Sequence, residues 1–422
     1  MGDNIITTTN NIYQRQLIDD KIYNEHDIMN GGKLVSEGGF GCVFYPGIEC
    51  SGEISDNVKI VSKIQVADKN SENEIKVGQI IKKIHGFTNN FSPVVSDCPI
   101  EINKLEDPNK SKCGIFKKYK KTNFHLMKMV YIKGDPFTLY MMNIKNKTEL
   151  INNLINSYNH LLKSISKLIH NKVVHFDLKG NNILFNSIMK EPVIIDFGLS
   201  IAIEELENVD NKKLKEYFYI YAPDYYIWTL EVHYLCYLIH ENPSPDDKEL
   251  LDICYKYVKH NHVFLKLYSK DFLKQYIKSC FKQLKKYNNM EKNKRIMFIL
   301  NTWSTWDNYA LSLLFLRYIS YINISGFLKN DFIEYFSKIL LNNIHPNPNK
   351  RHGISQTIHN FNRYFYSENY DKRVFSSILD NFVDNIDEIN KVIGLEYKEQ
   401  KKKTLKMKHL KNTIRYNFDK NT

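Results

Sequence analysis

VVHFDLKGNNIL, residues 173–184, follows a short apolar run with His, Asp, Lys and two Asn, then returns to Ile-Leu. Such a stretch is either a polar turn between two buried elements or a turn that carries chemistry. A carboxylate at the end of an apolar run, Asp177, can accept a hydroxyl proton. An ammonium two residues on, Lys179, can neutralise a phosphoryl group, and the carboxamide of Asn182 can help hold a hard divalent cation. Fourteen residues further, in VIIDFGLS, Asp196 ends a second β-type run and offers another oxygen ligand to the same ion.

Towards the N-terminus, LVSEGGFGCVF (34–44) sets Gly38, Gly39 and Gly41 between two apolar β-like runs. A glycine-rich hairpin lets backbone N–H groups approach a polyphosphate with no Cβ in the way, although a tight hairpin without a ligand reads the same. In IVSKI (60–64), Lys63 interrupts an apolar strand pattern, where an ammonium is rare without a counter-charge. It is either an outward-facing strand lysine or the partner of a carboxylate on the next helix, its charge directed at a phosphate. Glu74 is the expected partner and Glu72 the alternative; Lys59 is the alternative lysine.

The wider pattern predicts an α+β chain. The runs CVFYP, VKIVSKIQV and FHLMKMVYI read as strands, with a helix expected over 72–84 between them. From residue 148 a strong amphipathic helix begins, and helices are expected over 248–258, 270–286, 306–322 and 331–341. A small β-rich part followed by a large α-rich part meets at YIKGDP (131–136), where Gly and Pro punctuate the pattern.

Gly-rich hairpin, strand Lys, helix Glu, His-x-Asp-x-Lys-x-x-Asn and an Asp-Phe-Gly nineteen residues after Asp177, in that order, resemble the protein-kinase signature set over residues 33–367. GGFGCVFYPGIEC followed by VSKI, in a Lys/Asn/Ile-rich chain, is similar to the Ser/Thr protein kinases of large nucleocytoplasmic DNA viruses. The resemblance implies a bilobal protein-kinase fold, an N-lobe over 31–130 and a C-lobe over 131–367, that uses ATP and Mg²⁺. It implies that Ser36, Gly38, Gly39, Gly41 and Val43 cover the nucleotide, with adenine near Val130 and Ile132 and Met129 behind it. Lys63, braced by Glu74, would hold the α and β phosphates, and Asn182 and Asp196 would coordinate Mg²⁺. Asp177 would take the proton of the attacking hydroxyl while Lys179 offsets charge on the phosphoryl group. Lys179 also implies a Ser/Thr acceptor, and Ala-Pro-Asp (222–224) with Arg351 implies a protein substrate.

The departures carry their own expectations. Ser36 stands where the usual loop has its first glycine. Phe176 replaces the Arg that in the family pairs with a loop phosphate, so activity independent of loop phosphorylation is expected. The loop 200–221 has no Thr, and Tyr217 sits at the spacing of the Thr that contacts Asp177 and Lys179. YAPDYY (221–226) looks like Ala-Pro-Glu with Asp224 for Glu, and Arg351 is expected to pair with that carboxylate. Asp307 is expected to open the central buried helix. Its distance from Asp224, 83 residues, implies a helical insertion at about 226–304. A competing reading starts the central helix at IWTLEVHYL (227–235).

The 422 residues have globular proportions, 43% hydrophobic, 25% charged and 13% aromatic. A net charge of +12 favours anionic partners, but the lysines are spread along the chain, so no dedicated nucleic-acid surface is expected. The basic tail 398–415 reads as a solvated end or as a contact for an anionic surface. The seven scattered Cys contain no Cys-x-x-Cys pair, so neither a zinc site nor a disulfide framework is expected. That fits a reducing, intracellular setting, which with the resemblance implies host cytoplasm or a virion. The start, MGDNIITTTN, lacks the apolar core of a signal peptide, and the most apolar stretch, 309–324, carries Arg317 midway and reads as a buried core helix rather than a transmembrane segment. Residues 1–30 read as a loosely held leader and 368–422 as a helical, basic extension. Two other functions stay open: a catalytically silent scaffold on the same fold, and a kinase of a lipid or small molecule.

Overall fold

Alternation at period two builds the N-terminal sheet of this computed structural model. The structure describes residues 33–366 apart from 38–40, 106–112, 120–122, 208–209 and 325–330, with Lys398 and Lys402 beyond. The leader 1–30, Gly38, Gly39 and the rest of 368–422 with its basic tail lie outside the described residues. Strands β1 (Lys33–Glu37), β2 (Gly41–Tyr45), β3 (Ile60–Val66), β4 (Val94–Ile100) and β5 (Phe124–Val130) pair antiparallel in the order β1-β2-β3-β5-β4. Residues opposite one another share a face. Val43 stands across from Lys63, Lys63 from Met127, and Val61 from Met129. The other face carries Cys42, Phe44, Ile64, Phe124 and Leu126, sealed by Ile100, Leu105, Ile115 and Phe116. Strand β4 had no apolar signature because Asp97 and Pro99 interrupt it; as an edge strand it tolerates both.

Helix α1 (Lys69–Ile81) starts three residues before the predicted one. Asp68 caps it, accepting from the backbone N–H groups of Asn70 and Ser71, while its own N–H donates to Ser71 Oγ. Gly78 lets the helix lie against β4: a Cβ there would stand 2.4 Å from the Val94 carbonyl oxygen. That close seat brings Glu74, one turn earlier, onto the Lys63 face of the sheet.

Beyond Tyr131 the chain is mainly helical. A hairpin of β7 (Ile183–Asn186) and β8 (Glu191–Ile195) pairs with β6 (Gly134–Pro136) on one side and with the two-residue strand Phe91–Ser92 on the other. Helices α2 (Phe137–Asn143) and α3 (Lys147–His170) follow β6, and α3 buries Leu150, Leu154, Tyr158, Leu161, Ile165 and Leu168. The loop after Asp-Phe-Gly carries α4 (Asn211–Tyr217) and leads to α5 (Leu230–His240). Four helices then intervene: α6 (Asp247–Lys259), α7 (His262–Leu267), α8 (Lys270–Asn288) and α9 (Lys292–Leu300). They pack in place, α8 against α6, α9 against α5 and α7 against α10 (Trp306–Ile324). Helix α10 is buried all round from Trp306 to Tyr321, as a helix apolar on every side should be, and α11 (Asp331–Asn342) and α12 (Ile354–Phe365) close over it and α3.

The central helix is therefore α10, which begins at Asp307's turn; IWTLEVHYL forms the separate α5. The intervening helices occupy 247–300. Arg317 inside α10 meets the Tyr226 hydroxyl at 2.6 Å and the Tyr321 hydroxyl at 2.8 Å. Among the described residues no helix is long and apolar enough to cross a membrane.

One expectation fails outright. Cys42 is bonded to Cys113, and Cys50 to Cys98, each pair with Cα atoms 6.1 Å apart. The partners are 71 and 48 residues apart in sequence, so no local spacing announces them; the strand order brings them together. Cys236, Cys254 and Cys280 are free and buried. With four of seven paired, the cysteine pattern gives no argument for a reducing setting.

Candidate active site

Lys63 is the first of two charged centres. Its Nζ donates to Glu74 Oε1 and Oε2 at 2.8 and 2.6 Å and reaches Asp196 Oδ1 at 3.5 Å. Lys63 and Glu74 are buried, whereas Glu72 and Lys59, the alternatives from sequence, are exposed. Burial alone would depress the Lys63 ammonium, but the two carboxylates outweigh it and hold its pKa above the ordinary lysine value. The charge is thus fixed at neutral pH. Asp196 sits in the left-handed region with φ 63°, which turns the chain sharply into Phe197-Gly198.

The second centre is the turn quoted at the outset. Its backbone is held from below: Asp307 Oδ2 accepts from His175 N–H at 2.7 Å and Oδ1 from Phe176 N–H at 3.0 Å. Burial raises the Asp307 pKa against the opposing pull of His175 and the two backbone donors. Phe176, at φ 65°, stacks on Trp228 and packs against Phe218 and Trp306, while the Trp228 indole N–H donates to the Phe176 carbonyl at 3.0 Å. An apolar cage thus encloses the Phe176 ring. Above it, Lys179 Nζ donates to both Asp177 oxygens at 2.6 and 2.8 Å. Asn182 Nδ2 donates to Asp177 Oδ2 and to the Asp177 carbonyl, each at 2.9 Å, which turns the amide oxygen of Asn182 to the opposite side. The Asp196 carboxylate and the Asn182 amide oxygen are hard oxygen donors of the kind Mg²⁺ takes.

Of the remaining predicted residues, the strand register places two beside Lys63. Val43 and Met129 lie on its face of the sheet by register, joined by Val61, which the sequence reading passed over. Ser36 pairs with Val43 on exposed β1. Gly41 is required by the sheet itself, since a Cβ would come 2.5 Å from the Ile64 carbonyl oxygen. At the end of β5, the Val130 carbonyl accepts from Ser92 Oγ at 2.7 Å and Ile132 is buried. Gly38 and Gly39 fall outside the described residues.

One expected contact is replaced. Arg351 pairs with Glu231, not Asp224: NH1 and NH2 reach the two carboxylate oxygens at 2.6 and 2.8 Å, both side chains sealed from water. Tyr225 meets this turn, donating its hydroxyl to Asp177 Oδ1 and accepting from Lys179 Nζ at 3.0 Å. A signal for Glu231 did exist, a carboxylate inside the apolar run IWTLEVHYL, the same anomaly that singled out Lys63. No model of a known protein family matches the chain, and no curated protein matches it.

Proposed function

We propose that the chain is an ATP-dependent protein serine/threonine kinase of bilobal kinase architecture, the cleft lying between the β-rich N-terminal part and the helical remainder. The observation that carries the reading is the meeting of Lys63 with Asp196 at 3.5 Å across 133 residues, beside a turn whose Asp177, Lys179 and Asn182 are bonded to one another. An ammonium locked in its charged form suits the α and β phosphates. Val43, Val61 and Met129 supply the apolar face for adenine, with Leu184 half-exposed on β7 as a floor. Asn182 and Asp196 would hold Mg²⁺, which supplies positive charge to the phosphate oxygens. Asp177 takes the proton of the acceptor hydroxyl as its oxygen bonds to the γ-phosphorus. The bond from that phosphorus to the bridging oxygen breaks, ADP leaves, and Lys179 offsets charge on the group in transfer. A base in this role is worth about 10²–10⁴ in rate.

The test is transfer of labelled phosphate from ATP with Mg²⁺, alone and with a protein acceptor, against Asp177→Asn. Label on Ser or Thr with the parent protein alone supports the reading. Nucleotide binding without transfer supports a scaffold, and label confined to lipid or metabolite supports a kinase of those.

A further inference from the structure

Four hydrogen bonds converge on the Asp177 carboxylate: two from Lys179, one from Asn182 and one from the Tyr225 hydroxyl. An ionised carboxylate has about four lone-pair sites, so no place remains for the hydroxyl of a substrate. Asp177, Lys179 and Tyr225 are all buried, which closes the base to water as well. Two of the donors have another task in the proposed reaction, Lys179 at the phosphoryl group and Asn182 at the metal. Tyr225 has none on the nucleotide side. Its ring stands edge-on to Trp228, centroids 5.1 Å apart, with the Lys179 ammonium 5.5 Å from its centre. Trp228 is itself tied to the carbonyl of Phe176, so the phenol is braced against the turn it covers.

Resting on the kinase reading, we infer that Tyr225 occupies the seat of the acceptor hydroxyl, a built-in stopper that a protein substrate displaces before Asp177 takes its proton. The phenol imitates an acceptor: an O–H directed at the base, beside the lysine that serves the phosphoryl group. Burial, then the adjoining negative charge of Asp177, raises its pKa well above the ordinary phenol value, so it keeps its proton and stays a donor. Displacement costs one hydrogen bond to a charged group and some aromatic packing. The block therefore bears on the acceptor and leaves ATP untouched.

The experiment compares parent protein, Tyr225→Phe and Tyr225→Thr in phosphate transfer to a Ser/Thr-containing protein acceptor, with KM for ATP measured alongside. Tyr225→Phe keeps the ring and removes the donor; it should raise kcat/KM for the acceptor by roughly tenfold, the worth of one hydrogen bond to a charged group, with KM for ATP unchanged. Tyr225→Thr should do the same without the ring. Transfer by the parent with Tyr225→Phe equal or slower overturns the stopper and makes Tyr225 a support of the base, the kinase reading standing. No transfer by parent or variants, with ATP bound, overturns the kinase reading itself. Thermal melting of Tyr225→Phe at the parent's midpoint separates a kinetic effect from misfolding.

Discussion

Arg351 and Glu231 meet through two parallel charge-assisted hydrogen bonds across 120 residues of chain, with no solvent access to either group. Burial would raise the Glu231 pKa, but the guanidinium outweighs it and holds the carboxyl below the ordinary glutamate value. The pair joins the start of α5 to the segment before α12.

Removing one member leaves the other charge buried and alone. Glu231→Gln should cost about 3–5 kcal/mol of stability. Asp224→Asn, at the half-buried residue that the sequence favoured, should cost less than about 1 kcal/mol. Urea titration of both variants distinguishes them, and a larger loss from Asp224→Asn would reverse the assignment.

Glu74 sets where the Lys63 ammonium points. Glu74→Gln keeps the size and weakens the hold, so turnover should fall about 10²-fold with the fold intact, the usual cost of a misplaced catalytic group. Steady-state kinetics beside circular dichroism measures this, and unchanged kcat would remove Glu74 from the site.

Phe176 is enclosed by Trp228, Trp306 and Phe218, which leaves no place for a phosphate clamp. Phosphatase treatment of the protein should leave phosphate transfer unchanged. Phe176→Arg should bury an uncompensated charge and destabilise by on the order of 3 kcal/mol. Loss of activity on dephosphorylation would contradict the first expectation.

His233 is fully buried on α5, and burial, against the pull of Asp224 and Glu231, depresses its pKa from 6.5 to about 4. The unfolded chain therefore binds this proton first as pH falls. Stability present above pH 6.5 declines as pH drops towards 4, by about 3 kcal/mol at full extent. His160 and His240 shift in the same direction. His233→Phe should flatten the decline, which denaturant midpoints from pH 7 to 4 would register.

The Cys42–Cys113 bond closes a loop of 71 residues through the N-terminal sheet. Chain entropy assigns such a link about 4 kcal/mol. Denaturant midpoints with and without reductant should differ by at least that much, since reductant also opens Cys50–Cys98, and Cys113→Ser should fall between the two. Peptide mapping that recovers Cys42 as a free thiol would refute the pairing.

What could be read in advance follows a physical rule. Lys63 was legible because an ammonium in an apolar strand demands an explanation, whereas Asp307 was singled out only because WDNYALSLL resembles the start of a central buried helix. Helix α1 was legible as a helix, but its start was not, since Asp68 acts through its cap and not through periodicity. Contacts between distant segments were legible only where both ends carried a local anomaly. Arg351 had a plausible nearby motif in YAPDYY and was matched to the wrong carboxylate, seven residues before the right one. Tyr217 and Tyr225 lie in one aromatic-rich run, where spacing alone cannot choose between phenols. The cysteine pairs depend on strand order, which composition does not contain.

Asp307 anchors the backbone of His175 and Phe176 from 132 and 131 residues downstream. A polypeptide emerging from the ribosome thus exposes Lys63, Asp177 and Asp196 long before the helix that steadies the turn has been synthesised. Any fragment ending short of α10 would carry Lys63, Asp177 and Asp196 and yet lack the carboxylate that holds the turn between them.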